Sequence, residues 1–441
     1  MIRLYTIAVA AALFLALPFL LPYVALYARR RHVILHRLGL TRPAIHFRPG
    51  PTAAKPIWVH ALSVGETLAA IPLVRALASR FPRRSILFSA ATIGGYEMAR
   101  QNLSHTVAAV FFSPYDLPPA VKRMAARIDP GLVVIIETDI WPHFLAEMQR
   151  RNVPVMLVNA KLSDRSFAGY RRVAAFSKCL FNMVTKICCQ TRADGARFRR
   201  LGVEDDRIVV TGNIKFDQGE MPPEPPEIAH LRAALFAKAP RPVWVAGSTH
   251  AGEEDILRQA LAVVREKHPG LLLIVAPRDP SRAAAVQRLF AAAGFAAVAM
   301  SALSARNPAL TVEVVVIDTL GILKPLYALA DVALVGGSLL EIRGIGGHNP
   351  LEPAAFAKPI QFGPHMKNFR QIEQLLLAAG GATQVTDARR IAASLGELLT
   401  HHELAVRMGR QAHAVFTANQ GAVEKTLASA TALLDPADAH P

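Results

Sequence analysis

Short, unbroken runs of apolar residues recur along this 441-residue chain and alternate with segments of helical periodicity. Runs of Val, Ile and Leu that are separated by helices are typical of parallel β-strands covered on both faces. Seven runs precede residue 218 and five follow residue 240; they begin at Ile57, Ser85, Val107, Leu132, Val155, Ile187, Ile208, Val243, Leu271, Val312, Val332 and Pro359. The sequence therefore predicts an α/β protein with two parallel sheets.

A proline-rich polar stretch, QGEMPPEPPE at residues 218–227, separates the two sets of runs and is typical of an interdomain linker. The length of the chain also favours two domains. We predict an anchor over residues 1–31, an N-terminal domain over 32–217, a linker over 218–240, a C-terminal domain over 241–425 and a tail over 426–441. Ligands of parallel sheets bind at the carboxyl ends of the strands, so we expect the active site in a cleft between the domains.

The chain begins with a long apolar segment. Between Arg3 and Arg29 lie 25 uncharged residues, and about 20 apolar residues suffice for a helix to cross a bilayer. A cleavable signal peptide is disfavoured by the length of the run and by the lack of a small-x-small cleavage site. A buried soluble helix is the remaining alternative. Because Arg29, Arg30 and Arg31 follow the run, the positive-inside bias predicts a single-pass anchor with the remaining chain on the cytoplasmic side.

The charge of the chain predicts an acidic partner. The formal net charge is +17, which suits nucleic acid, an anionic membrane or a phosphorylated substrate. The chain has no basic or low-complexity tail, and this disfavours a nucleic-acid partner. Only three cysteines occur, without the spacing of metal ligands, so they are interpreted as reduced core residues.

Three motifs of the first half carry candidate chemistry. Glu66 in HALSVGE follows the first strand and could accept the proton of an attacking hydroxyl, but its spacing from Ser63 fits a capping box equally well. Glu137 in ETDIWP could act in a site or simply match the dipole at a helix start. Lys215 in GNIKFD could bind a carboxylate or phosphate, or be an ordinary surface lysine.

Three motifs of the second half favour nucleotide binding. GSTHAGEE at residues 247–254 and APRDPSR at 276–282 each follow a strand and open a helix, where free backbone N–H groups bind phosphate, and Arg278 could reach such an anion. The glycine-rich loop GGSLLEIRGIGGHNPLEPAA at residues 336–355 lets a phosphate approach the backbone closely. We expect a helix to begin near Pro350 and Glu352 to accept hydrogen bonds from ribose hydroxyls.

Taken in order, and with NAKLSDRSFAGY at residues 159–170, these motifs resemble the 3-deoxy-D-manno-octulosonic acid (Kdo) transferases over residues 57–368. The resemblance implies the GT-B fold, in which two Rossmann-like domains face a cleft, the first for the acceptor and the second for the nucleotide. It implies inverting transfer of Kdo from CMP-Kdo to lipid IVA during synthesis of the lipopolysaccharide inner core. It also implies a place at the bacterial inner membrane, whose anionic lipids would be further partners.

The same resemblance assigns residues. It implies that Glu66 is the catalytic base and that Glu137 and Lys215 stabilise the transition state. The positions matching its CMP-binding stretches are Pro277, Arg278, Leu320, Gly321, Ile322, Asn349, Pro350, Leu351 and Glu352. The chain departs from the family pattern at Ile322, where Glu is usual, and at Asp279, where His is common. The chain carries no Asp-x-Asp pair on a loop, so we expect neither a metal ion nor another cofactor.

Three alternatives are weighed against this reading. One is a GT-B transferase of the cell envelope that uses a UDP-sugar, and another is a non-catalytic, lipid-binding membrane protein. A dinucleotide-dependent oxidoreductase is disfavoured, because SVGET at the first turn after a strand lacks the G-x-G-x-x-G spacing.

Overall fold

The structure is a computed structural model that describes residues 2–26, 28–41, 54–217, 224–236, 240–303 and 312–434. The chain forms two compact units, one of Met1–Gly219 with Asn419–Pro441 and the other of Glu220–Ala418. Each unit contains one seven-stranded sheet, and all the strand pairs of both sheets are parallel. The predicted α/β class with two parallel sheets is confirmed.

The first unit begins with two helices and continues as alternating strands and helices. Its elements are α1 (Ile2–Leu26), α2 (Ala28–Arg37), β1 (Ala54–Ala61), α3 (Val64–Arg80), β2 (Arg84–Ala90), α4 (Ile93–Leu103), β3 (Ala109–Phe112), α5 (Pro118–Ile128), β4 (Leu132–Ile136), α6 (Pro142–Arg150), β5 (Val155–Ala160), α7 (Asp164–Arg172), α8 (Ala174–Phe181), β6 (Lys186–Cys189), α9 (Arg192–Arg200) and β7 (Ile208–Val210). The strand order is β3-β2-β1-β4-β5-β6-β7.

The second unit repeats this alternation. Its elements are α10 (Pro226–Phe236), β8 (Val243–Thr249), α11 (Glu253–Arg265), β9 (Leu272–Pro277), α12 (Ala283–Ala292), β10 (Ala297–Ala299), β11 (Val314–Val316), α13 (Leu323–Leu326), β12 (Val332–Val335), α14 (Leu351–Ala355), β13 (Ile360–Phe362), α15 (Arg370–Ala378), β14 (Ala382–Gln384), α16 (Ala388–Thr400) and α17 (His402–Ala418). The strand order is β10-β11-β9-β8-β12-β13-β14, and the final helix α18 (Ala422–Thr431) returns to the first unit.

The apolar runs form strands because both faces of each sheet are covered. Successive side chains of a strand point to opposite faces. On β1, Trp58 therefore packs in one apolar core with Leu157, while Val59 packs with Phe88 in the core on the other face. All four side chains are at most 1% exposed. A strand buried on both faces needs apolar residues at every position, and this explains the unbroken runs.

The predicted domain boundaries differ from the structure in two places. Helix α10 lies inside the predicted linker of residues 218–240, because Ile228, Leu231 and Leu235 are buried in the core of the second unit. Helix α18 belongs to the first unit rather than to the C-terminal domain and tail, and the Asp217 carboxylate accepts hydrogen bonds from the backbone N–H of Gly421. The remaining linker residues 218–223 and 237–239, and tail residues 435–441, lie outside the described residues.

The apolar N-terminal segment forms α1, on which Leu4, Ile7, Phe14 and Leu15 are 65–78% exposed. Over the ranges that the structure describes, no helix meets both the length and the apolarity required to cross a bilayer. The side chains of Arg29 and Arg30, used above to orient the predicted anchor, lie outside what the structure describes.

Each sheet has one point at which the strand order reverses. In the first sheet, β1 has β2 on one side and β4 on the other; in the second, β8 lies between β9 and β12. Loops that leave the two sides of such a point diverge, and this opens a crevice at the carboxyl ends of the strands. The β1–β4 and β8–β12 points are therefore the positions in each unit where a ligand is expected.

Candidate active site

Glu66 lies in the first turn of α3, directly after β1, and so stands at the reversal point of the first sheet. Its carboxylate accepts hydrogen bonds from the backbone N–H of Leu62 at 2.6 Å and from the hydroxyl of Ser63 at 3.1 Å. Ser63 in turn accepts from the Glu66 N–H at 3.3 Å. This is the reciprocal pattern of a helix cap, one of the two readings that the sequence left open.

The capping contacts leave the Glu66 carboxylate able to accept a further hydrogen bond. A carboxylate offers about four acceptor positions, and the two capping bonds occupy two of them. Burial raises the pKa of Glu66, and the nearby charges of Glu137 and Asp139 add to this effect, whereas the hydrogen bonds from Leu62 and Ser63 oppose it. A raised pKa makes the carboxylate a stronger base, so a capping role and a proton-accepting role are compatible.

Glu137 follows β4, on the other side of the reversal point from Glu66. It does not open a helix, since α6 begins only at Pro142, so the helix-dipole alternative for Glu137 is wrong. Its carboxylate lies 3.5 Å from Nζ of Lys215 and 2.9 Å from Nζ of Lys161. Although burial alone would raise the pKa of Glu137, the two ammonium groups lower it below the usual value, so Glu137 stays ionised.

Lys215 is not an ordinary surface lysine. Its side chain is only 16% exposed, and burial lowers its pKa, while the charges of Glu137 and Glu66 act in the opposite direction. The lysine lies on a short 3-10 turn, Ile214–Phe216, that follows β7. The side chain of Asn159 accepts a hydrogen bond from the Ile214 N–H at 3.1 Å and so fixes this turn above the sheet edge.

The backbone at Glu137 and Asn159 has an unusual conformation. Both residues have positive φ, 61° and 60°, although neither is a glycine. Such residues occur where the surrounding structure enforces the conformation, often at functional sites. Here Glu137 N donates to Val158 O at 2.7 Å, and the Glu137 side chain contacts Lys161 and Lys215.

His60, Asp139 and Lys161 also lie at this site, although they were not predicted as site residues. His60 Nε2 lies 3.1 Å from the Asp139 carboxylate, and His60 Nδ1 lies 3.0 Å from the Ser89 hydroxyl, which also accepts the indole N–H of Trp58. An indole can only donate, so the Ser89 hydroxyl can give its own hydrogen to His60 Nδ1, and Nε2–H can then donate to Asp139. The sequence could have identified these three residues, because each lies in a motif at or after the end of a strand.

In the second unit, Pro277 ends β9 and is buried, and Arg278 follows it. The Arg278 N–H donates to Thr249 O at 2.9 Å, which joins the ends of β8 and β9. The Arg278 side chain is exposed, and its charge lowers the pKa of His348, although burial is the larger cause. Arg278 is therefore a cation beside the reversal point of the second sheet.

The segment after β11 is split between exposed and buried residues. Leu320 is 73% exposed and Gly321 has a φ of 88°, whereas Ile322 is 7% exposed and packs in the apolar core with Leu326 and Tyr327. The departure at Ile322 thus places an apolar side chain inside the core. Of residues 320–322, only the backbone and the exposed Leu320 side chain can reach a ligand.

A helix begins after Pro350, as predicted: Pro350 is the N-cap of α14, whose first residue, Leu351, is buried. The Asn349 side chain accepts the Leu351 N–H at 3.1 Å and is also hydrogen-bonded to the Glu352 carboxyl. Burial raises the pKa of Glu352 to about 7, against the opposing effects of Lys324, Asn349 and Arg278. A carboxyl group whose pKa lies near the ambient pH can gain or lose its proton when a ligand binds.

The first part of the glycine-rich loop is not open to a phosphate. The Glu253 side chain is fully buried and accepts the backbone N–H groups of Gly337 at 2.8 Å, Ser338 at 3.0 Å and Leu339 at 2.9 Å. It also accepts the His250 N–H at 2.9 Å. For residues 337–339, the expected close approach of a phosphate to the loop backbone is therefore wrong, because a protein carboxylate already occupies the anion position.

The architecture is shared with a solved glycosyltransferase. A glycosyltransferase from Rickettsia africae superposes with a TM-score of 0.53 at 12% identity, over 87% of this chain and all of that chain. This similarity shows a shared fold of two parallel-sheet units. The chain therefore has the two-unit α/β architecture of GT-B glycosyltransferases.

Sequence relatives specify the family. Residues 33–218 match the family model described as 3-deoxy-D-manno-octulosonic-acid transferase. The 3-deoxy-D-manno-octulosonic acid transferase of Haemophilus influenzae is 34% identical over 84% of this chain and 85% of its own length, and that of Bordetella pertussis is 33% identical over 86% and 87%. The chain belongs to the 3-deoxy-D-manno-octulosonic acid transferase family and is a glycosyltransferase.

Proposed function

We propose that this enzyme transfers Kdo from CMP-Kdo to lipid IVA, with inversion at the anomeric carbon and with Glu66 as the general base. The observation that carries the proposal is the cluster at the reversal point of the first sheet. There the charge of Glu137 raises the pKa of Glu66, and the charge of Glu66 in turn acts to raise the pKa of Lys215. Membership of the family supports Kdo as the transferred sugar, and the cluster contains the side chains that the transfer reaction needs.

An inverting transfer is a single displacement. As the lipid hydroxyl attacks the anomeric carbon, its proton must leave while the bond to the CMP phosphate breaks. A carboxylate with a raised pKa accepts that proton well, which is worth about 10²–10⁴ in rate. The raised pKa of Glu66 supports this role, and the remaining acceptor positions of its carboxylate allow it without loss of the helix cap.

Glu137, Lys215 and Lys161 are proposed to stabilise the transition state together. Kdo carries its own carboxylate, and the departing phosphate is also negative. Two ammonium groups held by one carboxylate form a fixed arrangement with net positive charge. Such preorganised charges stabilise developing negative charge without rearrangement during the reaction.

The second unit is proposed to bind the donor. Pro277, Arg278, the backbone of Leu320 and Gly321, and residues 349–352 are the proposed contacts with CMP. Arg278 supplies a cation for the phosphate. Support comes from their grouping at the ends of β9, β11 and β12, close to the reversal point of the second sheet. For Ile322 we propose only a backbone contact, since its side chain lies in the core.

We also propose that α1 anchors the enzyme to the bacterial inner membrane, with both units on the cytoplasmic side. The uncharged run of 25 residues and the exposed apolar side chains of α1 support this proposal. The net charge of +17 would add attraction to anionic headgroups and to the phosphates of lipid IVA.

Product analysis tests the function directly. Purified full-length enzyme is incubated with lipid IVA and a CMP-Kdo-generating system, and the lipid is analysed by mass spectrometry. We expect lipid IVA to gain the mass of Kdo. In parallel, CMP and UDP are compared as stabilisers, because a ligand at about 100 times its Kd stabilises by about 2.7 kcal/mol. Stabilisation by UDP but not CMP, with no Kdo added, would contradict the proposal and favour the UDP-sugar alternative.

A further inference from the structure

Two imidazoles are joined at the reversal point of the second sheet. His250 follows β8, and His348 lies in the loop between β12 and α14. Their Nε2 atoms are 2.8 Å apart, and the ring planes differ by only 5°. Since the ring centroids are 5.1 Å apart, the rings meet edge to edge in a common plane, as in an N–H···N hydrogen bond.

The loop backbone fixes the His348 ring in this position. The His348 N–H donates to Gly336 O at 3.3 Å, and Gly347 N–H donates to Gly337 O at 2.9 Å. A Cβ atom on Gly337 would lie 2.7 Å from Cδ2 of His348, so only glycine leaves space for the ring. Glu253 holds the same glycine turn and also the His250 backbone, so one buried carboxylate positions both histidines.

A pair of this geometry can bind one additional proton but not two. In the neutral pair, one Nε2–H donates to the other, unprotonated Nε2. A proton added at Nδ1 of the donating ring makes that ring an imidazolium and strengthens the shared hydrogen bond. A second proton would place two N–H groups against each other at 2.8 Å. The two rings therefore titrate as a unit.

Burial is the main reason why the free pair is neutral. Burial lowers the pKa of His348 to about 3, with smaller contributions from His250 and Arg278. Burial also lowers the pKa of His250, against Glu253 and Glu254, and Arg282 and Arg278 lower it further. Glu254 is itself held by Arg282 at 2.8 Å, and Glu253 is surrounded by backbone donors. Burial, rather than a net charge, therefore opposes protonation of the free pair, and a bound anion would favour it.

We propose that His250 and His348 form the phosphate contact of the bound cytidine nucleotide and take up one proton from solvent when the site holds CMP. This inference rests on the proposed binding of a cytidine nucleotide by the second unit. Both rings are partly exposed, and within the described residues neither Nδ1 has a hydrogen-bond partner, so an oxygen of the phosphate can accept from Nδ1–H. The proton returns to solvent when CMP leaves.

The phosphate supplies the change in charge that the uptake needs. One opposite charge within about 4–6 Å moves the pKa of a neighbouring group by about 1–3. The phosphodiester of CMP-Kdo carries one charge, whereas the phosphate of CMP carries close to two at neutral pH, so the larger effect comes with CMP. Together with the Arg278 guanidinium, an imidazolium would stabilise the departing phosphate. The glycine turn itself contributes no N–H group to this task, because Glu253 occupies it.

Calorimetry of CMP binding tests the inference. CMP is titrated into the full-length enzyme near pH 7, in buffers that differ in ionisation enthalpy, and the dependence of the heat on the buffer gives the number of protons taken up. We expect the wild type to take up about one proton more per CMP than His250→Gln or His348→Gln. Both variants should bind CMP about tenfold more weakly, whereas His230→Gln, an exposed histidine on α10, should match the wild type.

The outcomes separate this inference from the function on which it rests. CMP binding with the same proton uptake in the wild type and both pair variants would overturn the inference and leave the donor site intact. A lack of CMP binding by the wild type would overturn both. If a variant does not fold, the Kd of the wild type is followed from about pH 7 to about pH 9, above the second phosphate pKa of about 6. We expect it to rise by up to about tenfold per pH unit, and a constant Kd would contradict the proposal.

Discussion

Nζ of Lys215 lies 3.5 Å from Oε1 of Glu137, although β5 and β6 separate the strands that these two residues follow. The pairing is possible because the turn after β7 is held over the sheet edge by Asn159, which bonds to Ile214 N–H. The left-handed backbone at Glu137 turns its side chain towards the same point. One ion pair thus joins the central and the edge parts of the first sheet beside Glu66.

Glu66→Gln separates the two roles of this residue. Gln keeps an oxygen that can accept the Leu62 N–H, so the helix cap survives, but it cannot accept the proton of the attacking hydroxyl. We expect kcat to fall by about 10²–10⁴ while the melting temperature stays near that of the wild type. Steady-state kinetics and thermal unfolding measure the two effects.

Glu66→Ala is the matched control, because it also removes the carboxylate that accepts from Leu62 N–H and the Ser63 hydroxyl. It should show the same loss of kcat together with a destabilisation of about 0.5–1.5 kcal/mol for each lost hydrogen bond. If Glu66→Gln reduced kcat by less than about threefold, Glu66 would be a capping residue only, and the base would have to be another group.

Asp139→Asn should move the pH dependence of the reaction. Because burial and the charges of Glu137 and Asp139 raise the pKa of Glu66, activity should increase with pH as Glu66 loses its proton, at a higher pH than for an ordinary glutamate. Removing the Asp139 charge lowers the pKa of Glu66, so the acid limb of kcat/KM should shift to lower pH.

Asp129→Asn is the control for this shift. Asp129 precedes β4, whereas Asp139 follows it, so the two carboxylates lie at opposite ends of the strand, and Asp129 pairs with the exposed Lys55. Its variant should keep the wild-type profile. An unshifted acid limb in Asp139→Asn would show that the limb does not report Glu66.

The two members of the ion pair should differ in their effect on stability. Lys215→Gln leaves Glu137 paired with Lys161 at 2.9 Å, whereas Glu137→Gln leaves both lysines without this carboxylate. We expect Glu137→Gln to destabilise more, by at most about 3 kcal/mol since both side chains keep some exposure, and both variants to lower kcat. Urea unfolding and kinetics provide the measurements; equal stabilities would show that Lys161 does not take over from Lys215.

Removal of divalent metal should leave the rate unchanged. In the proposed mechanism, Arg278 and the histidine pair hold the phosphate, a task that a metal ion performs in other transferases. We expect the same kcat after treatment with EDTA as before it. A large loss that magnesium restores would contradict the metal-free mechanism.

Most of the strands were predictable because they are buried on both faces, so their sequences are uninterrupted apolar runs. The short strands β10 and β14, at the two edges of the second sheet, were not identified. Their side chains are only partly buried, so burial leaves a weaker pattern. Helix α10 was not predicted, because the prolines around it indicate a linker, although Ile228 and Leu231 are buried in a core.

Local motifs determined which residues lie after strands, and hence that Glu66, Glu137 and Arg278 occupy the carboxyl ends of parallel strands. The sequence by itself also determined the fold class and the family resemblance, since both depend on residue order along the chain. Only the tertiary structure decided which of these residues meet. The Lys215–Glu137 pair, the His60–Asp139 pair and the His250–His348 pair join segments far apart in sequence, and strand order, which no local pattern encodes, brings them together.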